Sequence, residues 1–369
     1  MASQADRYRG RRSHPLNGPN GLEPTGFEEW WMRARESDRR GDTGAAITQY
    51  EQALSLLRAD EEDHRAADVL RHLGSVYRGR GEVQRAERRY EQSFEMASRI
   101  GYINGMADAA NWLGVIAMGR GDFDAAERFF ADARRHALSN NHFRLVGAID
   151  LNLGILANIR GDLNAAMAHY RSAQNQFYDR ADHENLGLVM NNIGLLCADL
   201  DRFDEAARAF DEAFALARET HNLLLENAIE ANRAELFIAT RRFPEAASAS
   251  ARAKTIAQLR NDRQREAEAL KFQGVIAREE DALDTAANLL TEAESLATQC
   301  EDRLLAAESA RELGEVYARK QAWADARSAL TRALQSFLVV GARIDWADVE
   351  RRLAKLPSPR PASPAPAVA

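Results

Sequence analysis

Several things are scarce in this chain of 369 residues, and each scarcity removes a class of function. Cysteine occurs twice, at Cys197 and Cys300, with no CxxC spacing. That excludes a disulfide framework or a thiolate zinc site, and both residues read as small apolar side chains of helices in a reducing compartment. Lysine is confined to Lys254, Lys271, Lys320 and Lys355, so the positive charge is almost all arginine, as in GC-rich bacterial sequences. The formal charge is −7, the wrong sign for a dedicated nucleic-acid binder, which needs a basic surface to neutralise phosphates. No run of about 18 apolar residues exists to span a membrane. The first twenty residues, MASQADRYRGRRSHPLNGPN, lack the apolar core of a signal peptide, which predicts a cytoplasmic protein. Eight scattered histidines form no HExxH, and no GxSxG elbow, P-loop or GxGxxG turn is present. The expectation is a non-enzymatic protein with no metal and no cofactor. Aromatics are few (7%), proline is sparse through the middle, and Ala, Leu, Glu and Arg dominate, which predicts an all-α chain.

What is abundant is repetition. RGDFDAAERFFADA at 120–133 has counterparts at exact steps of 40 residues, from RGDTGAAITQYEQA at 40–53 to KQAWADARSALTRA at 320–333. Eight units share one register without insertion. Ala46, Ala86, Ala126, Ala166, Ala206, Ala246, Ala286 and Ala326 form one column. Four residues on comes a large one, Tyr50, Tyr90, Phe130, Tyr170 and Phe210, then Ser250, Leu290 and Leu330. Seven residues before each turn a small one recurs: Ala34, Gly74, Gly114, Gly154, Gly194, Ala234, Gly274 and Gly314. This is the pattern of a helical hairpin. Small residues let two axes approach and the large residue fills the space beside the contact. Gly41, Gly81, Gly121 and Gly161 suit the left-handed position that ends the first helix. Asp42, Asp122 and Asp162 suit the N-terminus of the second. The three RGD tripeptides at 40–42, 120–122 and 160–162 are therefore turns, not adhesion signals. First helices are predicted near 64–79, 104–119 and 144–159, and second helices near 83–99 and 123–139.

LGSVY followed by Ala86, Tyr90 and Ser93, and LGEVY at 313–317, resemble the tetratricopeptide repeat. The 40-residue unit is similar to the longer-helix class found in the polarity adaptor LGN and kinesin light chains. The resemblance covers roughly 26–342 and implies a right-handed α-solenoid of eight helix-turn-helix units. A flexible basic arm (1–25) would precede it, and a capping helix (343–356) and a disordered Pro/Ala/Ser tail (357–369) would follow.

The resemblance also implies where a ligand lies. Members of the family bind partner segments on the concave face, through positions two, five, six, nine and sometimes twelve or thirteen of each first helix. With Gly74 as position eight, position six holds Asn152, Asn192 and Asn232 in three consecutive repeats, with Trp112 before them and Phe272 after. Position five holds Asn111, Asn191, Arg71, Lys271 and Arg311, and Asn158 stands at position twelve. These residues form the expected peptide-binding set. A side-chain amide offers both a donor and an acceptor, matching a peptide unit. With packed helices about 8–10 Å apart and an extended chain rising about 3.3 Å per residue, such a ladder meets a bound backbone about every third residue. Trp112 and Phe272 are expected to line side-chain pockets. The chaperone-type carboxylate clamp is absent, because repeats four to six carry Ile155, Leu195 and Glu235 at position nine. Arg71, Lys271 and Arg311 stand one turn after Asp68, Glu268 and Glu308, a spacing that predicts ion pairs within each helix. Arg233 and Gln273 replace the usual Leu of position seven, which predicts looser packing there. The functional expectation is an adaptor that holds a protein or peptide segment. The alternative is a bacterial sensor that binds a signalling peptide and controls a separate protein through a change of shape.

Overall fold

The computed structural model describes residues 26–57 and 63–357. The basic arm expected at 1–25 and the tail beyond 357 lie outside the described residues. The described residues form seventeen α-helices and no strand. The chain divides into two compact units, one ending at Leu156 and one beginning at Ala157. The first contains α1 (Phe27–Arg39), α2 (Thr43–Ser55), α3 (His64–Gly79), α4 (Val83–Arg99), α5 (Ile103–Gly119), α6 (Phe123–Ser139) and most of α7 (Phe143–Ile159). The second contains α8 (Leu163–Tyr178), α9 (His183–Asp199), α10 (Phe203–Glu219), α11 (Leu223–Ala239), α12 (Phe243–Leu259), α13 (Arg263–Glu279), α14 (Leu283–Gln299), α15 (Arg303–Arg319), α16 (Trp323–Val340) and α17 (Arg343–Lys355).

Each unit is a stack of antiparallel hairpins, α1 with α2, α3 with α4 and α5 with α6 in the first, and α9 with α10 through α15 with α16 in the second. The odd-numbered helices also meet one another: α3 meets α5, α9 meets α11, α11 meets α13, and α13 meets α15. No two even-numbered helices meet as closely among the described residues. The odd helices therefore take the inner side of each stack, and α17 packs on α16 at the end of the second.

The small and large columns meet as sterics requires. A Cβ added to Gly74 would lie 2.6 Å from the Tyr90 ring, and one added to Gly194 would lie 2.5 Å from Phe210. Tyr50, Tyr90 and Phe130 are wholly buried, and Phe210, Leu290 and Leu330 are within 1% of it. The turns are more regular than the glycines alone suggest. A left-handed residue recurs at twenty-residue intervals from 81 to 341, so both kinds of turn share one geometry. Gly41, Gly81, Gly121 and Gly161 have φ of 75°, 75°, 78° and 78°, while Ala181, Arg241 and Gln321 take the same conformation without being glycine. Asp42, Asp122 and Asp162 cap the helices they precede, accepting from the backbone N–H of Ala45, Ala125 and Ala165. Asp182, Asn222, Asp262 and Asp302 do the same for the odd-numbered helices α9 to α15.

Two sequence expectations fail in the packing. Cys197 is buried, but Cys300 is exposed at the C-terminus of α14 and is not a core residue. Arg233 does not loosen its site. Its guanidinium lies 5.7 Å from the Phe214 ring and 5.9 Å from Phe237, 2.8 Å from Asp211 and 3.6 Å from Glu230. Glu230 has no exposed surface and also accepts from Nε and Nη2 of Arg252, at 2.8 Å each. A carboxylate without water needs charged partners, and that is the demand Arg233 and Arg252 meet. A parallel pair in the first unit joins buried Asp150 to Arg134 at 2.7 Å.

Candidate functional site

The inner face of each unit holds the residues singled out in the sequence, but their bonding follows a diagonal. In the first unit Asn152 Nδ2 donates to Asn111 Oδ1 at 3.0 Å. In the second, Asn232 Nδ2 donates to Asn191 Oδ1 at 2.9 Å. Each bond joins position six of one repeat to position five of the repeat before it, an offset of 41 residues. Residue 151 is a leucine and offers no amide at that offset from Asn192. Asn192 instead donates to the Leu188 carbonyl of its own helix, at 2.8 Å. The expected uniform column is thus two interhelical amide pairs and one amide turned onto its own backbone. Asn111 is buried, whereas Asn152, Asn191, Asn192 and Asn232 are half-buried and keep hydrogen-bonding capacity beyond the bonds named. Asn158 is half-buried in the last turn of α7.

The same diagonal brings Trp31 edge-on to His72, with ring centroids 5.0 Å apart. His72 stacks on Tyr50 at 5.6 Å and receives Arg71 Nη2 on Nε2 at 2.9 Å. Burial, with Arg71 and Arg35 nearby, pushes the imidazole pKa down to about 3, so the ring is neutral at any physiological pH. Trp112 is half-buried against Tyr90, their rings stacked at 5.8 Å, and the Arg78 guanidinium lies 4.7 Å from the indole. Asp68 and Asp108 flank Arg71 beyond ion-pair distance. Burial raises the pKa of both carboxyls, with Arg71 opposing the shift. The Tyr102 hydroxyl, which approaches Asp68 at 3.4 Å, is pushed up to about 12 by burial.

In the second unit the expected intrahelical ion pairs do not form. Lys271 bonds Glu308 of the next odd helix at 2.6 Å, and Glu268 is taken by Arg265 at 2.8 Å. Arg311 bonds Asp345 of α17 at 2.7 Å and Glu312 beside it at 3.1 Å. Lys271 and Arg311 are thus matched forward along the stack, while Glu268 is matched within its own helix. Phe272 is likewise corrected. It is 7% exposed and packs with Ala234, Phe237, Ala246 and Ala249 in the core of the second unit.

A cleft of about 350 Å³ opens beside Asn191, lined by Leu188, Ala228, Asn222 and Leu224 among others. Leu224 is 60% exposed. Sequence reading missed this cleft because it forms where the starts of α11 and α13 and the end of α12 converge on α9, and no single repeat encodes it. Among the described residues no group of His, Cys, Asp and Glu is placed to hold a metal ion, and no helix is long and apolar enough to cross a membrane.

The family model of the tetratricopeptide repeat matches residues 39–99 and 145–219. No curated protein sequence matches the chain. Among solved structures the chain is similar to a signal transduction ATPase with numerous domains from Pyrococcus horikoshii that has a tetratricopeptide repeat sensor. The TM-score is 0.65 at 14% identity, over 88% of this chain and 48% of that one, so the chain spans about half of that protein's length. It is similar to the Rap conjugation gene regulator of plasmid pLS20 in complex with the Phr* peptide, with a TM-score of 0.57 at 15% identity over 75% of this chain and 74% of that one. It is similar to yeast Tom70, with a TM-score of 0.52 at 14% identity over 92% and 68% of the two chains. These likenesses establish the fold. Together with the hairpin register and the packed glycine and aromatic columns, the family model identifies residues 39–99 and 145–219 as tetratricopeptide repeats within that fold.

Proposed function

We propose that this protein is a non-enzymatic adaptor that holds an extended segment of a partner protein against the inner face of its odd-numbered helices. The observation that carries the reading is the pair of amide bridges, Asn152 to Asn111 and Asn232 to Asn191. Each bridge fixes the orientation of two amides before a ligand arrives, which lowers the ordering cost of binding. Each leaves donor and acceptor capacity for a peptide backbone. The cleft beside Asn191 would take a ligand side chain, and Trp112 would supply an apolar contact in the other unit.

The test uses the full chain as bait in a selection from displayed twelve-residue peptides, followed by fluorescence anisotropy with the selected sequences. The variants Asn111→Ala with Asn152→Ala, and Asn191→Ala with Asn232→Ala, are expected to weaken binding about tenfold or more while circular dichroism stays native. Unchanged affinity in both double variants sinks the reading. Catalytic turnover by the purified protein would end it as a complete account.

A regulatory sensor is the second reading, favoured by the likeness to a repeat sensor and to a gene regulator held with a peptide. It requires a selected peptide to change the small-angle scattering profile of the full chain. An adaptor's profile changes only by the added mass.

A further inference from the structure

We propose that the inner face of the first unit carries a receptor for an oxyanion borne by a peptide, carboxylate or phosphate, formed by Arg35, Arg71 and Arg78 over a floor of Tyr50, His72 and Tyr90. The inference deepens the peptide-binding reading and rests on it.

The first observation is unmatched charge. Cations on the inner face of the second unit are matched, Lys271 by Glu308 and Arg311 by Asp345. Among the described residues no carboxylate lies within ion-pair distance of Arg35, Arg71 or Arg78. Asp38, Asp68 and Asp108 are the acids in their surroundings, and all three stand farther off. Arg35 and Arg78 are exposed, and their guanidinium carbons lie 5.9 Å from the Trp31 ring and 4.7 Å from the Trp112 ring. Contact with an aromatic face holds a guanidinium while leaving its N–H edge open.

The second observation is independent of charge. Tyr50 is wholly buried and its hydroxyl has no hydrogen-bond partner. The equivalent Tyr90 hydroxyl bonds Ser75 Oγ at 3.2 Å. Forty residues before Ser75 stands Arg35, which lies over Trp31 and leaves the Tyr50 hydroxyl unmet. Arg71 commits Nη2 to His72, and its buried Nε–H also has no acceptor. Unmet buried donors cost about 1–3 kcal/mol each, more when the group is charged. What is missing is an acceptor with several lone pairs and negative charge, which describes an oxyanion. His72, bonded by Arg71, contacts both Tyr50 and the Trp31 ring that carries Arg35, and Arg78 stands two turns of α3 beyond Arg71 over Trp112, which stacks on Tyr90, so Arg71 links the other two.

The experiment uses the peptide selection described above with the full chain. Selected sequences are expected to share an Asp or Glu at one position. A fluorescein-labelled selected peptide is then made with Glu, Gln or phosphoserine at that position. Replacing Glu by Gln is expected to weaken binding to the wild type about tenfold. Arg71→Gln, and the exposed pair Arg35→Gln with Arg78→Gln, are each expected to cause a similar loss and to erase the preference for Glu over Gln. Tyr50→Phe is expected to lower affinity a few-fold. Tighter binding of the phosphoserine peptide assigns the group to phosphate, and tighter binding of the Glu peptide assigns it to carboxylate. Both uphold the receptor. Equal binding of the Glu and Gln peptides, or unchanged affinity in the exposed arginine pair, overturns it. If the amide variants lose binding while the arginine variants do not, the inner face binds peptides and this receptor alone fails. If no peptide is selected at all, the peptide-binding reading fails and the receptor falls with it.

Discussion

Removing Arg252 isolates a charge that the fold has buried completely. Glu230 has no solvent exposure, and its two oxygens each accept from Arg252 at 2.8 Å, with Arg233 Nη1 at 3.6 Å as the only other cation in range among the described residues. Breaking a buried pair by deleting one partner costs about 3–5 kcal/mol when nothing else compensates. Two features of the structure reduce that here. Arg233 stays, and Arg252 is itself 42% exposed, so water reaches part of the space it vacates. Arg252→Met, which keeps the aliphatic stem, should therefore destabilise the second unit by about 2 kcal/mol. Adding Glu230→Met removes the stranded charge, and the double variant should recover most of the loss, because an apolar pair of similar volume replaces an ion pair at little net cost. Urea unfolding followed by circular dichroism gives the global value. Hydrogen exchange resolved to α11 and α12 gives the local one, which matters because stacked repeats open in parts. A cost below about 0.5 kcal/mol for Arg252→Met, or a double variant no more stable than the single, would refute the claim that Glu230 is charged and held by Arg252.

Other perturbations test separate parts of the structure. Gly194→Ala forces a methyl to within 2.5–3.0 Å of the Phe210 ring and should cost about 1–3 kcal/mol in thermal or urea unfolding. Gly121→Ala meets no atom within 4 Å but must hold a φ of 78°, so its cost of about 1 kcal/mol is conformational alone. Asp122→Ala removes the acceptor for the Ala125 N–H and should cost about 1 kcal/mol. Asp108→Asn should raise the melting temperature at neutral pH. Burial raises the Asp108 pKa in the folded state, so the folded protein binds the proton more tightly and ionisation opposes folding as pH rises through the carboxylate range. The advantage of the Asn variant should vanish once the pH falls below the ordinary carboxylate range, and a gain that persists there would contradict the burial argument.

The hairpins were legible because they are local. The contact of Gly74 with Tyr90 or Gly194 with Phe210 spans sixteen residues of one hairpin, so it must recur in each unit and appears as a column. The capping aspartates and turn glycines are written in the same way, since each acts within four residues. The left-handed Ala181, Arg241 and Gln321 were not legible, because there the packing of the flanking helices imposes a conformation that the residue itself disfavours. The inner face was legible only as a list of residues. Lys271 pairs with Glu308 of the next odd helix, while Arg265 takes Glu268 within α13.

The sequence alone therefore determined the period, the helices, the hairpin contact and the residues of the inner face, since all follow from steric and hydrogen-bonding rules that operate within one repeat. Tertiary structure alone decided how those residues are used. A lateral offset of 41 residues joins Asn152 to Asn111 and Asn232 to Asn191 and leaves Asn192 on its own backbone. Phe272 enters the core among Phe237, Ala246 and Ala249 rather than standing open on the inner face. Arg71 keeps an open N–H beneath the inner surface because its acids stand too far away. Each of these outcomes depends on the distance between neighbouring helices, which a repeat unit does not contain.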